Sequence, residues 1–211
     1  MVNDFSDERI EQMAKVIADS FIDYPLIKAV IGEIPNLEDV MLKASYLNTR
    51  EFLKHGDAHL LDGNPEALVL AYHSKSIRPM TRTIHTIRLV LLLHRLLSKD
   101  DFKALMRNLK RYDKVMDLKW PYRHIDGEFY YVKVVAVDHS LRGTGAFRRL
   151  MTPVIEGSAL RGLPIVLESH DERVADIYTH YGFDTVELIE QEGLDIRQHC
   201  MVLQPNDGNG A

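Results

Sequence analysis

Residues 132–151 read VKVVAVDHSLRGTGAFRRLM: an apolar strand, a short turn, a basic glycine loop and the start of an amphipathic helix. Gly143 and Gly145 can take backbone conformations closed to other residues, which lets several amides converge on one anion. The helix that follows directs its positive dipole end and its unpaired N–H groups at the same point. Arg142, Arg148 and Arg149 place cations nearby. The chemistry on offer is the holding of a diphosphate. A nucleotide P-loop would need GxxxxGK[ST], and no lysine follows these glycines; the dinucleotide fingerprint GxGxxG fails at Arg148. A plain tight turn uses the same glycines, so the loop alone does not decide.

The elements around it must deliver that loop. Glu128 to Val137 is rich in β-branched and aromatic residues, with Lys133 its one charge after Glu128, as in a central strand covered on both faces. Phe147, Leu150, Met151, Val154, Ile155 and Ala159 step by three and four, the mark of an amphipathic helix, with Pro153 expected to kink it. Pro164 to Glu168 reads as a short strand, Glu172 to His180 as a helix, and 183–190 with 195–203 as a closing strand pair. Strand, helix, strand implies a right-handed parallel crossover. Upstream, helical spacing runs over 7–31, broken near Pro25, and over 37–54. Ala58 to Leu61 and Ala67 to Tyr72 flank the turn residues Asp62, Gly63, Asn64 and Pro65, which predicts a β-hairpin. Residues 77–119 read as two helices breaking near Ser98. The expectation is one mixed α/β domain over 1–204, with 77–119 a helical insertion and 205–211 a flexible tail. Its sheet is twisted and largely antiparallel, has one parallel pair at its centre, and carries helices on both faces.

On these residues the chain resembles the GNAT superfamily of acyl-CoA-dependent N-acetyltransferases, over roughly 125–203 and more loosely elsewhere. Val135, Ala136 and Val137 match that family's strand end; Arg142, Gly143, Thr144, Gly145 and Ala146 match most of its loop. Phe147 departs, since the family has Gly or Ala there. A second signature, Tyr-x-x-x-Gly-Phe, stands as Tyr178, Gly182 and Phe183; the Asn often seven residues before that Tyr is Asp171 here. The two signatures occur in the right order and at ordinary separation.

The resemblance implies acetyl-CoA as co-substrate and an amine as acceptor. Backbone groups of Val135 to Val137 would pair with the pantetheine arm, and the amides of Arg142 to Phe147, beside Arg148, would hold the pyrophosphate. The parallel strands would splay to admit the cofactor. A donor near Val135 to Val137 stabilising the oxyanion is worth ~3 kcal/mol. Tyr178 is the candidate general acid: a phenol near pKa ~10 stays protonated at neutral pH and can donate to a departing thiolate of pKa ~8.5. The alternative is a half-buried Tyr anchoring its helix. Glu168, at the carboxyl end of its strand, is the candidate base; a capping or surface carboxylate is the rival reading, and His170, His124 or water are alternative bases.

Composition narrows the field. The 211 residues carry 26 basic and 31 acidic side chains, a net charge of −5, against a nucleic-acid partner. No run approaches the ~20 apolar residues of a membrane span, and the acidic amino terminus does not read as a signal peptide, which leaves the cytoplasm as the expected location. The lone Cys200 excludes an internal disulfide, and the ten His lack HExxH; His55 and His59 are separated by Gly56 and Asp57, so no metal is expected. No acid falls between Ala67 and Lys99, whereas 168–195 holds nine acids and only Arg173, two oppositely charged faces of one domain. Leu89 to Leu97 reads as core packing or a dimer contact, the oligomer being a monomer or homodimer. Two other functions stay open here: a catalytically silent acyl-CoA-binding or sensor domain, and an interaction module using Leu89 to Leu97.

Overall fold

The computed structural model describes residues 5–76 and 79–205. Helix α1 (Asp7–Phe21) starts where the Ser6 hydroxyl accepts from the Arg9 amide at 3.3 Å. Pro25 then opens α2 (Pro25–Ile31) at a position where a helix has no N–H bond to lose, so the helical stretch over 7–31 is two helices separated by residues 22–24. Helix α3 (Leu37–Phe52) leads to the hairpin of β1 (Asp57–Leu61) and β2 (Asn64–His73). Its turn is Asp62 and Gly63, both left-handed at φ 51° and 75°; Asn64 and Pro65 already belong to β2. The stretch expected as the insertion, 77–119, supplies α4 (Pro79–Leu96), α5 (Lys99–Tyr112) and a 3-10 turn over 113–116, and the short α6 (Pro121–His124) follows it. Then come β3 (Tyr130–Val137), α7 (Ala146–Ala159), β4 (Ile165–Ser169), α8 (Glu172–His180), β5 (Asp184–Ile189) and β6 (Gln198–Leu203). Beyond Pro205 the expected tail lies outside the described residues, as do Ile77 and Arg78. Among the described residues no helix is long and apolar enough to cross a membrane.

One six-stranded sheet runs β1-β2-β3-β4-β6-β5, antiparallel except for the central pair β3–β4. Both faces are covered, as the apolar strands require. On one, Ala67, Val69, Ala71, Tyr130, Val132, Ile165 and Leu167 pack under Leu150, Met151 and Val154 of α7 and Ala175 of α8. On the other, Leu68, Leu70 and Ala136 meet Ile10, Met13 and Ile17 of α1. Farther along that face Tyr131, Val166 and Cys200 join the buried Val115 of the insertion and Trp120 just after it.

Lys133 interrupts β3. Leu70 pairs with Val134 and Ala71 with Val132, so Lys133 is an extra residue, a β-bulge. It explains why Tyr130 and Val132 but also Val135 and Val137 lie toward α7: the bulge adds one to the alternation. A charge tolerated inside an apolar strand is thus a residue outside the ladder.

The insertion has two unlike parts. Its end is tied to the strands: Gln198, fully buried, accepts from the Asp117 amide at 2.8 Å and donates to the Asp117 carbonyl at 2.7 Å. Its start is not. Among the described residues helix α4 packs chiefly on α3 and α5. None of Leu89 to Leu97 is therefore buried, and Leu91 is 52% exposed in line with Ile84 and Ile87, which corrects the core-packing expectation for this run.

Candidate active site

Strands β3 and β4 pair only at Tyr130–Ile165 and Tyr131–Val166, while β4 continues against β6 as far as Ser169. From the bulge onward β3 has no ladder partner on its β4 side among the described residues. The strands part there, and the gap opens at their carboxyl ends. The Asp138 amide donates to the Glu66 carbonyl at 2.8 Å, so antiparallel alternation gives the main-chain groups of Ala136 to β2 and turns those of Val135 and Val137 into the gap. The Val137 carbonyl meets Nε of Arg142 there at 3.4 Å.

The glycine loop stands at the mouth of this gap. Gly143 and Gly145 have φ of 76° and 78°, and a Cβ on either would meet nothing within 4 Å, so the space they face is open. Two loop amides are used: Arg142 N donates to His139 O at 3.3 Å and Thr144 N to Leu141 O at 3.4 Å. Those of Gly143, Gly145, Ala146, Phe147 and Arg148 make no main-chain bond among the described residues, and no side chain caps α7. Five amides at the positive end of a 14-residue helix suit a diphosphate. Arg149 is drawn away to Asp62 at 3.4 Å, whereas Arg142 and Arg148 are exposed and form no ion pair among the described residues.

Phe147, the residue out of keeping with the loop signature, does not fill the cradle. Its ring lies edge-on to Tyr178 at 5.7 Å and to Tyr181 at 5.0 Å. Tyr178 in turn meets Phe183 at 5.4 Å. Aromatic packing thus fixes the Tyr178 ring, and its hydroxyl makes no hydrogen bond among the described residues. Burial, with added repulsion from Tyr24 and Glu168, pushes this phenol well above its ordinary range. It is protonated at neutral pH, and the same desolvation would raise a thiol leaving into this cleft.

Glu168 sits where β4 leaves β3, 9% exposed at its side chain. One carboxylate oxygen accepts from the Tyr131 hydroxyl, the other from Lys133, which bridges the gap. Next along the chain, the His170 amide donates to the Tyr24 hydroxyl at 2.6 Å, and ring Nε2 lies 2.7 Å from the Val115 carbonyl. Tyr24, in the break between α1 and α2, is a site residue that no motif marked. Its contact with His170 spans 146 residues, and the only local sign was Pro25, which fixes where the break falls. His124 is elsewhere, bound to Glu187 of β5 at 2.7 Å. Asp171 caps α8 by accepting from the Arg173 amide at 2.9 Å; burial opposes its ionisation, but the Arg173 side chain and amide outweigh that and hold it below the usual carboxylate range. The structure therefore gathers Val135–Val137, Arg142–Arg148, Glu168 and Tyr178 around one opening. It places the Asp171 side chain in a cap instead.

A scan of family models finds no match, and no curated protein is similar in sequence at a meaningful level. Solved structures do match in shape. An acetyltransferase from Corynebacterium glutamicum, described as histone acetyltransferase and related, aligns over 98% of this chain and 96% of its own at TM-score 0.62 and 16% identity. Arylalkylamine N-acetyltransferase 2 from Aedes aegypti aligns over 96% and 97%, at 0.58 and 15%. An N-acetyltransferase from Staphylococcus aureus aligns over 96% and 100%, at 0.55 and 17%. The fold of this chain is that of the GNAT N-acetyltransferases.

Proposed function

We infer that the protein is an N-acetyltransferase that moves an acetyl group from acetyl-CoA to an amine. One observation carries the reading: the gap between β3 and β4 ends at a cradle of two left-handed glycines whose five consecutive or near-consecutive amides have no main-chain partner among the described residues, beside the exposed Arg142 and Arg148. Exposed amides converging at a helix start, with two cations beside them, are suited to an anion. Gly143 to Arg148 would take the pyrophosphate, and Val135 and Val137 would pair with the amide groups of the pantetheine arm as a strand would. That alignment brings the thioester carbonyl to the bulge, within reach of a main-chain donor that stabilises the developing oxyanion.

Tyr178 supplies the proton for the departing sulfur. Its ring is locked by Phe147 and Phe183, and the hydroxyl is left without a partner among the described residues, as a donor to a transient acceptor should be. Glu168, placed by its sequence position as a base, has both oxygens engaged by Tyr131 and Lys133. In this reading it holds Lys133 at the parting of the strands, and accepts a proton only once Lys133 lets go. Asp171 contributes by capping α8, the helix that carries Tyr178. The arylalkylamine acetyltransferase among the structural neighbours favours a small amine as acceptor here too.

Calorimetric titration with acetyl-CoA, followed by thiol-release assays against a panel of arylalkylamines, agmatine and spermidine, tests this. Saturable binding with amine-dependent thiol release is the expected result. Binding without release from any amine would make the protein a silent acyl-CoA binder; no binding at millimolar acetyl-CoA would end the reading altogether.

A further inference from the structure

We propose that Tyr24 and His170 form the route by which the acceptor amine loses its proton, Tyr24 taking it while passing its own hydroxyl proton to Nδ1 of His170. The proposal rests on the acetyltransferase reading above and answers the question that Glu168 leaves open. An alkylammonium must lose a proton before it can attack a carbonyl, and the carboxylate at the strand end is already engaged on both oxygens.

The hydrogen-bond directions around His170 follow from which groups can only donate or only accept. The Val115 carbonyl only accepts, so Nε2, 2.7 Å away, carries the ring hydrogen and Nδ1 holds the lone pair. The His170 amide only donates, and it donates to the Tyr24 oxygen at 2.6 Å. That bond leaves the Tyr24 hydroxyl proton free to point at Nδ1, 3.4 Å away, a separation that closes on protonation of the pair. Tyr24 reaches the carboxyl end of β4, its hydroxyl meeting the amide of His170 two residues beyond Glu168, the carboxylate at the opening. Charge balances throughout. The ammonium N–H bond breaks and its electron pair stays on nitrogen for the attack; an O–H bond forms at Tyr24 as its former one becomes N–H at Nδ1. The positive charge passes from the ammonium to an imidazolium whose other N–H is already held by a carbonyl, and the proton leaves to solvent after product departs.

The groups facing His170 come from every neighbouring element. Glu168 of β4 favours the imidazolium, while Lys133 of β3 and His199 of β6 oppose it; Tyr24 comes from the α1–α2 break, and the insertion presents only the Val115 carbonyl. Burial outweighs these and holds the imidazole below its ordinary range, so the ring is in its accepting form across neutral pH.

The test is kcat/KM against pH for acetyl transfer to phenethylamine and to agmatine, in the unaltered protein, Tyr24→Phe, His170→Gln and the double variant. Gln can still donate to the Val115 carbonyl, and thermal midpoint and acetyl-CoA affinity check that each variant is folded. Each single variant is expected to lower kcat/KM by ~100-fold or more, with acetyl-CoA affinity within about twofold. The acid limb, lying below pH ~6.5 in the unaltered protein, should vanish in His170→Gln. The double variant should be no worse than either single one, because the two groups act in series. Both single variants keeping near-normal kcat/KM and the same acid limb would overturn the relay and leave the acetyltransferase reading standing. Bound acetyl-CoA with no transfer by the unaltered protein would overturn both.

Discussion

On the α7 side of the β3–β4 opening, the groups that face the gap include main-chain amides with no main-chain partner among the described residues, and two side chains there turn elsewhere: Phe147 to Tyr178 and Tyr181, Arg149 to Asp62. On the insertion side the arrangement is reversed. Side chains from distant segments are engaged there, Tyr24 by the His170 amide, His170 by the Val115 carbonyl, Gln198 by the Asp117 main chain, and Glu168 by the Tyr131 and Lys133 side chains. The difference teaches how two kinds of recognition are written into a chain. A polyanion of fixed geometry can be held by backbone conformation, which a few glycines encode locally. An acceptor of particular shape and basicity needs side chains, and these are assembled from across the sequence.

If that contrast is right, the two sides should fail in different ways. The largest effect is expected from Tyr178→Phe, which should lower turnover ~100-fold or more while acetyl-CoA affinity in calorimetry stays within about twofold; equal turnover would remove the phenol from the chemistry. Next, Gln198→Leu strips both bonds from the Asp117 main chain and leaves its N–H and C=O without partners, a cost of about 2–4 kcal/mol. The thermal midpoint should fall by roughly 5–10 °C with the cradle's affinity for acetyl-CoA unchanged. Gly145→Val should do the opposite. A left-handed residue at φ 78° resists a β-branched side chain by about 1–2 kcal/mol even though space is open around it. Acetyl-CoA should bind ~10-fold more weakly, with turnover at saturation little changed. Smallest is Asp171→Ala, the loss of an N-cap worth about 1 kcal/mol, read as a lower thermal midpoint. Because the native carboxyl is held below its ordinary value, the stabilisation is present above the unfolded pKa of ~3.9 and lost as pH falls below it. The gap between variant and unaltered protein should therefore be full at pH 7 and shrink below about pH 4.

The same contrast accounts for what the sequence made legible. Strand β3, the glycine loop and α7 could be read because their signals are contiguous: a run of β-branched residues, two glycines, then three- and four-residue steps. The hairpin and the break at Pro25 were equally local. Tyr24 was invisible because nothing near it differs from an ordinary helix end, and its partner lies 146 residues on. Gln198 lies within the expected strand over 195–203 with nothing in the sequence to single it out, yet it is fully buried and ties the insertion to β6. Leu89 to Leu97 misled in the other direction. Apolar residues in an α-helix suggest a core, but α4 rests on other helices and leaves Leu91 half exposed. Asp171 shows the limit of pattern matching: it stands where a signature has Asn, and here that side chain completes a helix cap.

The bulge at Lys133 has one more consequence. Without that residue Val132 would be followed by Val134, side chains on both faces would keep their present sides, and β3 would run straight enough to zip along β4 past Val166. A single-codon deletion at 133 would thus lengthen the ladder and narrow the gap proposed to take the thioester, and would leave Glu168 with Tyr131 as its remaining partner of the two. In the proposed reaction the room for the acyl group comes from an imperfection in the sheet, and selection for thermal robustness alone would tend to erase it.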